Sequence, residues 1–329
     1  MLQPPASSTA FNHADAGRLA AEVGAFWREA LREAAELNLD VGLVLDLGLA
    51  KLASLNIRGP ANREPSFAMW QEAGEILQFG CLQLRAREKP RGYAGDHEML
   101  GAIYDQKVTL DPRGVAFDRY FLRLAAPQAV RNRMHLVRDR LIDTFLSATT
   151  APKIVVVGCG SALEIRDALQ QLPEAARQRG EIHLLDLDPA AISEAEQNVR
   201  PHLGGLTCLA QTENLVRLPK KAARLKELAD ADLVICTGFF DYLEAPAASE
   251  LLGVCWNWLR PGGQALVFNF APWNSTRTYM EWIGNWYLIY RTRQDLADLA
   301  TAAGISTDCW QVSAESSGID LLLSLKKPR

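Results

Sequence analysis

The sequence predicts an α/β protein, with a doubly wound sheet on its carboxyl side and a helical domain before it. Three observations carry this. Lys153-Ile154-Val155-Val156-Val157 is a short, β-branched run that suits a strand buried on both faces. It ends in Gly158-Cys159-Gly160-Ser161-Ala162 and passes into a helical repeat from Leu163 to Leu169. From there, apolar runs and helical repeats alternate to the end of the chain, whereas only helical spacing precedes Lys153.

The elements follow in order. Residues 1–15, rich in Pro, Ser and Ala, read as a mobile N-terminal arm. Leu19, Val23, Phe26, Trp27, Ala30, Leu31 and Ala34 form the stripe of an amphipathic helix over 16–38. Further helices are expected over 43–55, from Pro65 to Phe79, over 97–104 and over 127–147. The basic group Arg131 to Arg140 reads as the polar face of the last of these. Lys89-Pro90-Arg91-Gly92-Tyr93-Ala94-Gly95-Asp96 interrupts the helices, and its mix of charged, aromatic and glycine residues suits a functional loop. Residues 16–150 are therefore expected to be a helical cap domain and 151–329 a cofactor-binding domain.

After the glycine turn, Ile182 to Leu185 is a second strand, ending in Asp186-Leu187-Asp188-Pro189. A helix over 190–199 follows, then a third strand over 206–210, ending near Asn214, and a fourth over 232–236, stopping at Gly238. A helix over 248–259 is closed by Arg260-Pro261-Gly262-Gly263, and a fifth strand spans 264–270. Helical spacing recurs from Tyr279 to Tyr290 and over 292–303. Strands over 309–312 and 319–325 then form a terminal antiparallel hairpin, with the first five strands parallel.

A strand, a glycine turn and a helix N-terminus make a nucleoside site, because glycine lets a ligand approach the backbone and the helix start offers free N–H groups. A carboxylate at the tip of the next strand can accept both ribose hydroxyls. The third glycine of a dinucleotide fingerprint is replaced by Leu163, so the loop reads G-x-G-x-A, closer to that for S-adenosylmethionine (SAM). Gly158, Gly160 and Ser161 are expected to contact methionine and sugar, Asp186 the ribose, and Asp188 and Asn214 the adenine; Gly238 lies at the fourth strand's tip.

Gly158 to Ala162, Asp186 to Pro189 and Leu259-Arg260-Pro261-Gly262-Gly263 resemble motifs of class I SAM-dependent methyltransferases over residues 150–329. The resemblance implies a Rossmann-like core with a terminal antiparallel hairpin. Pro90 to Asp96, Gly238-Phe239-Phe240-Asp241-Tyr242-Leu243, Met280-Glu281-Trp282 and Trp286 to Arg291 resemble a bacterial subgroup making hydroxy-fatty-acid methyl ester signals. Enzymes that cyclise SAM to azetidine-2-carboxylate and methylthioadenosine look similar too. The superfamily often has an acid two places before the first glycine. Here that place is Val156, which sends the methionine ammonium to Glu164, Asp241 or a residue of the helical domain.

The expected function is therefore methyl transfer from SAM to a small-molecule oxygen, carboxylate or hydroxyl, in bacterial secondary or signal metabolism. The alternative is a SAM-cyclising lyase. Candidate catalytic residues are Tyr93, Asp241 and Tyr242, and Arg91 joins the cofactor set; Arg91, Tyr93 and Asp96 are the candidates from the helical domain, and Asp241, Tyr242 and Asn269 those at the strand ends. His97 is the candidate base, and Tyr93 and Tyr104 are candidates to close the site. Aromatic rings from Phe239 to Tyr290 suit a sulfonium through cation–π attraction.

The net charge of -4 offers no general attraction for nucleic acid or an anionic membrane. The 6 dispersed cysteines, without a C-x-x-C pair, read as buried reduced thiols, and Cys159 is noted only because it lies in the loop. No metal-ligand spacing is present, no apolar run approaches the ~20 residues that span a bilayer, and the N-terminus lacks signal-peptide character. A cytoplasmic enzyme is expected, with a small-molecule substrate and neither nucleic acid nor membrane as partner. Monomer and homo-oligomer both stay open.

Overall fold

The structure, a computed structural model, describes residues 13–37, 40–221 and 225–329. The arm expected at 1–15 lies outside these residues except for its last three, which open the first helix. Helices come first: α1 (His13–Glu36), α2 (Val41–Ser54), α3 (Arg63–Leu77), α4 (Cys81–Glu88), α5 (His97–Tyr104), α6 (Val115–Arg123) and α7 (Ala125–Ser147). Strands and helices then alternate: β1 (Lys153–Val157), α8 (Leu163–Gln171), β2 (Glu181–Asp186), α9 (Pro189–Val199), β3 (Thr207–Thr212), α10 (Leu218–Lys221), β4 (Ala231–Cys236), α11 (Ala245–Trp258) and β5 (Leu259–Phe270). The chain closes with α12 (Arg277–Trp282), α13 (Arg293–Ala302), β6 (Trp310–Ala314) and β7 (Asp320–Lys326). Among the described residues no helix is long and apolar enough to cross a membrane.

The chain forms two compact units, both discontinuous in sequence. The first comprises 1–94, 108–121 and 276–287, and the second 95–107, 122–275 and 288–329. By this grouping α5 and α7 fall in the second unit, with the sheet.

In the first unit α1 packs along α3 and α2. Trp27, Leu31, Leu45, Leu52, Met69 and Leu77 are fully buried there. Gly24 sets the α1–α3 distance: a Cβ there would lie 2.4 Å from the Met69 carbonyl oxygen. The helical spacing read from Tyr279 to Tyr290 does not become one helix. α12 ends at Trp282, and Gly284 and Asn285, the latter at φ +50°, turn the chain away. Tyr279 and Trp282 are core of this unit. Tyr279 stacks on Phe121, with ring centroids 5.4 Å apart, and its hydroxyl donates to Gln83 Oε1.

In the second unit the strand order is β3-β2-β1-β4-β5-β7-β6. β1 to β5 pair in parallel, while β7 runs antiparallel to both β5 and β6. β7 alone therefore opposes the other strands. This is a class I methyltransferase sheet with helices flanking it. β5 begins earlier than expected: Leu259 already pairs with Ala231, and the register then slips before Gln264 pairs with Leu233. One face carries a core including Val155, Val234, Val267, Leu252 and Leu296. The other carries Ile154, Val156, Ile235 and Phe268 against Val137, Leu141 and Phe145 of α7.

Candidate active site

The parallel order places the carboxyl ends of β1, β2 and β4 side by side, where such sheets bind ligands. At the end of β1, Gly158 and Gly160 adopt φ +71° and +51°, and Ala162 φ +51°. The two glycines fit because L side chains are strained at positive φ. The Gly158 and Cys159 N–H groups both donate to the Leu185 carbonyl, which ties the loop to β2.

Asp186, at the tip of β2, lies against this loop. Its Oδ2 accepts from Gly160 N–H at 2.8 Å and its Oδ1 from Asp188 N–H at 3.0 Å. Burial raises its carboxyl, and these two donors pull the other way. Asp188 caps α9 through Ala190 N–H at 2.9 Å. The chain after β3 returns here as well: Glu213 N–H donates to the Asp186 carbonyl. A Cβ on Gly158 would lie 3.6 Å from Leu215 and 3.7 Å from Phe239. Among the described residues, Asn214 Oδ1 is buried here with no hydrogen-bond partner.

Ser161 is buried, and its carbonyl accepts from Asn198 Nδ2. Glu164, in the first turn of α8, is 4% exposed, and burial raises its carboxyl to about 7. Cys159 is inert by the same cause: burial first, then the Asp186 and Glu164 charges, hold its thiol well above the ordinary range.

His97 is explained by packing. It opens α5, which Asp96 caps through Met99 N–H at 2.8 Å. Its Nδ1 lies 3.5 Å from Asp188 and its Nε2 3.3 Å from Glu194. A Cβ on Gly160 would stand 3.7 Å from the His97 Cβ, so the histidine backs the glycine loop.

A buried polar nest adjoins Gly238, and its Arg133 and Asp320 were not singled out from the sequence. Arg133 of α7 is 2% exposed, and its Nη1 pairs with Asp320 Oδ2 at 2.9 Å. Its Nη2 lies 3.4 Å from where a Cβ on Gly238 would be. Tyr104 joins it: burial and then the Glu164 charge drive the phenol far up, and Arg133 opposes them. Burial also raises Asp241, to about 6, and Asp320. The expectation of a solvated polar face from Arg131 to Arg140 fails at its start, since Arg131 and Arg133 are both buried. Arg131 is spent on the Leu122 carbonyl and Gln128, and Arg133 on Asp320.

The strand-end candidates serve partly as struts. Asp241 Oδ1 accepts from Phe270 N–H at 2.8 Å, and its carbonyl accepts from Ile289 N–H. Asn269 donates to the Phe270 and Ile289 carbonyls and accepts from Arg291. Tyr242 is 36% exposed. Arg91 and Tyr93 belong to the first unit, Arg91 exposed and Tyr93 half-buried.

Residues 155–265, about a third of the chain, match the model of a family described as a methyltransferase domain. No curated protein matches. Among solved structures, a possible exported protein from Bordetella parapertussis is 16% identical, with a TM-score of 0.56, over 98% of this chain and 100% of its own. The CurJ carbon methyltransferase is 12% identical, with a TM-score of 0.51, over 96% of this chain and 92% of its own. These two likenesses concern the fold. The family match over residues 155–265 and the strand order agree with a class I SAM-dependent methyltransferase core.

Proposed function

We propose that the chain transfers the methyl group of SAM to an oxygen of a small molecule, a carboxylate or a hydroxyl. The observation that carries this is Asp186: a strand-tip carboxylate hydrogen-bonded to the glycine turn of β1, inside a matched methyltransferase domain. Each of its oxygens keeps a second lone pair for ribose hydroxyls. The buried Asn214 Oδ1 suits the adenine amino group, and Glu164 suits the methionine ammonium, the role left vacant by Val156. The residues therefore fit the cofactor, which when bound supplies an electrophilic methyl group.

Proximity and orientation provide much of the rate in such a transfer. A carboxylate acceptor loses no proton, so it requires no general base. That suits a site whose histidine faces a carboxylate at each ring nitrogen. Within the second unit, Asp241 and Tyr242 are assigned to the acceptor side and Gly238 to the cofactor side.

The test uses the pure full-length chain. SAM with a panel of carboxylic and hydroxylated acids should give S-adenosylhomocysteine only when an acceptor is present. Asp186→Asn should weaken SAM binding by about tenfold or more in calorimetry. Methylthioadenosine formed from SAM alone would replace methyl transfer by cyclisation, and no heat of SAM binding would overturn both.

A further inference from the structure

We infer that the first unit holds a small oxyanion, a carboxylate or a phosphoryl group, at a shelf built by Arg63, Arg87, Lys89, Asn62 and Tyr287. None of these residues has a part in the proposed methyl transfer, and the site does not depend on it.

The shelf begins with charge. Arg87 lies 4.3 Å over the ring of Trp70 and donates to Ser66 Oγ and to the Trp282 and Ile283 carbonyls at 3.1 to 3.3 Å. Lys89 Nζ donates to the Asn285 carbonyl at 2.8 Å. Arg63 lies 5.2 Å over the ring of Tyr287. Carbonyls at the end of α12 thus satisfy some N–H groups of Arg87 and Lys89, but they bring no negative charge. The nearby Glu281 is already held by Arg277 Nε at 2.7 Å and Gly59 N–H at 2.8 Å. Lys89 registers the imbalance: burial, then the charges of Arg87 and Arg63, lower its ammonium to about 8. Burial lowers Arg87 to about 10.

The second observation is independent of charge. Asn62 is fully buried, and its Oδ1 accepts from the Tyr287 hydroxyl at 2.5 Å. Its Nδ2 has no partner among the described residues. A buried amide donor left unmade is costly, and natural proteins pair such groups. The amide is bonded to the hydroxyl of the same Tyr287 whose ring Arg63 covers, so an oxyanion there would gain its N–H and one or two guanidinium N–H groups. It would also relieve the repulsion among the three cations.

Full-length protein would be titrated with inorganic phosphate and, separately, with acetate, at ionic strength held constant with chloride. One anion should bind, shift the Asn62 side-chain amide resonance and draw protons onto Lys89 at pH 8, read by calorimetry in two buffers. Arg63→Gln, at an exposed position, should weaken binding by about tenfold. Lys89→Gln should abolish the proton uptake. Tighter phosphate marks a phosphoryl ligand, and tighter acetate a carboxylate. An unmoved Asn62 resonance, or equal affinity in wild type and Arg63→Gln, would overturn the site.

Discussion

Glu164 shows how one buried carboxyl can couple fold and ligand. Its folded value of about 7 lies above the ordinary 4.5 because burial disfavours the charged form. A raised folded value gives stability that is complete below the unfolded value and is lost as pH rises through the folded one. The loss here runs from about pH 4.5 to 7 and reaches about 3 kcal/mol. Glu164→Gln should therefore be more stable than wild type in urea melts at pH 8 and equal to it at pH 4. In wild type, a bound ammonium beside Glu164 should favour its ionised form, so SAM binding near pH 7 should release a proton. Equal melts at pH 8 would remove Glu164 from the buried set. The glycine turn and the place of Asp186 at a strand tip were legible because backbone conformation and strand ends are controlled by local sequence. The inward turn of Arg133 was not, because helix spacing does not tell which polar side chain turns inward when its partner is distant in sequence. Asp320, for example, lies 187 residues from Arg133.

At the scale of elements, strong periodicity or β-branched runs marked the long helices and most strands, and β1 was placed at its observed limits. Two short helices escaped, although α5, equally short, was read at its observed limits. α4 has 8 residues, several of them charged, and α6 has 9, too few for a stripe to stand out. The early start of β5 also escaped, since Pro261, Gly262 and Gly263 read as a turn. Close approach was equally hidden. Gly24 looks like an ordinary helix interior position, where alanine would normally stabilise by about 1 kcal/mol. Here the added Cβ would meet the Met69 carbonyl oxygen at 2.4 Å and Glu72 Cβ at 2.8 Å. Backbone cannot rotate aside as a side chain can, so α1 and α3 must separate. Overpacking of this kind costs about 1–3 kcal/mol and outweighs the gain in propensity. Gly24→Ala should lower the urea midpoint, whereas Gly17→Ala, which meets nothing within 4 Å, should raise it or leave it unchanged.

The whole molecule differs from its chain order in where the sheet gets its cover. α7 precedes β1, yet its Val137, Leu141 and Phe145 are buried in one core with sheet side chains of the second unit, and α7 packs on β4 and β7. Burying three such side chains is worth about 1.5–3 kcal/mol each, or about 5–9 kcal/mol together. That is comparable with the whole stability of a typical domain, about 5–15 kcal/mol. The same helix carries Arg133, without which Asp320 would sit at 0% exposure facing no cation of α7. Breaking one side of a buried pair costs about 3–5 kcal/mol more. Residues 151–329 made alone should therefore show no cooperative thermal transition and should expose apolar surface to a hydrophobic dye, while the full chain melts cooperatively. A sharp transition in the 151–329 segment would mean that the sheet is stable without α7, and that the boundary read from chain order describes the folding unit better than the contacts do.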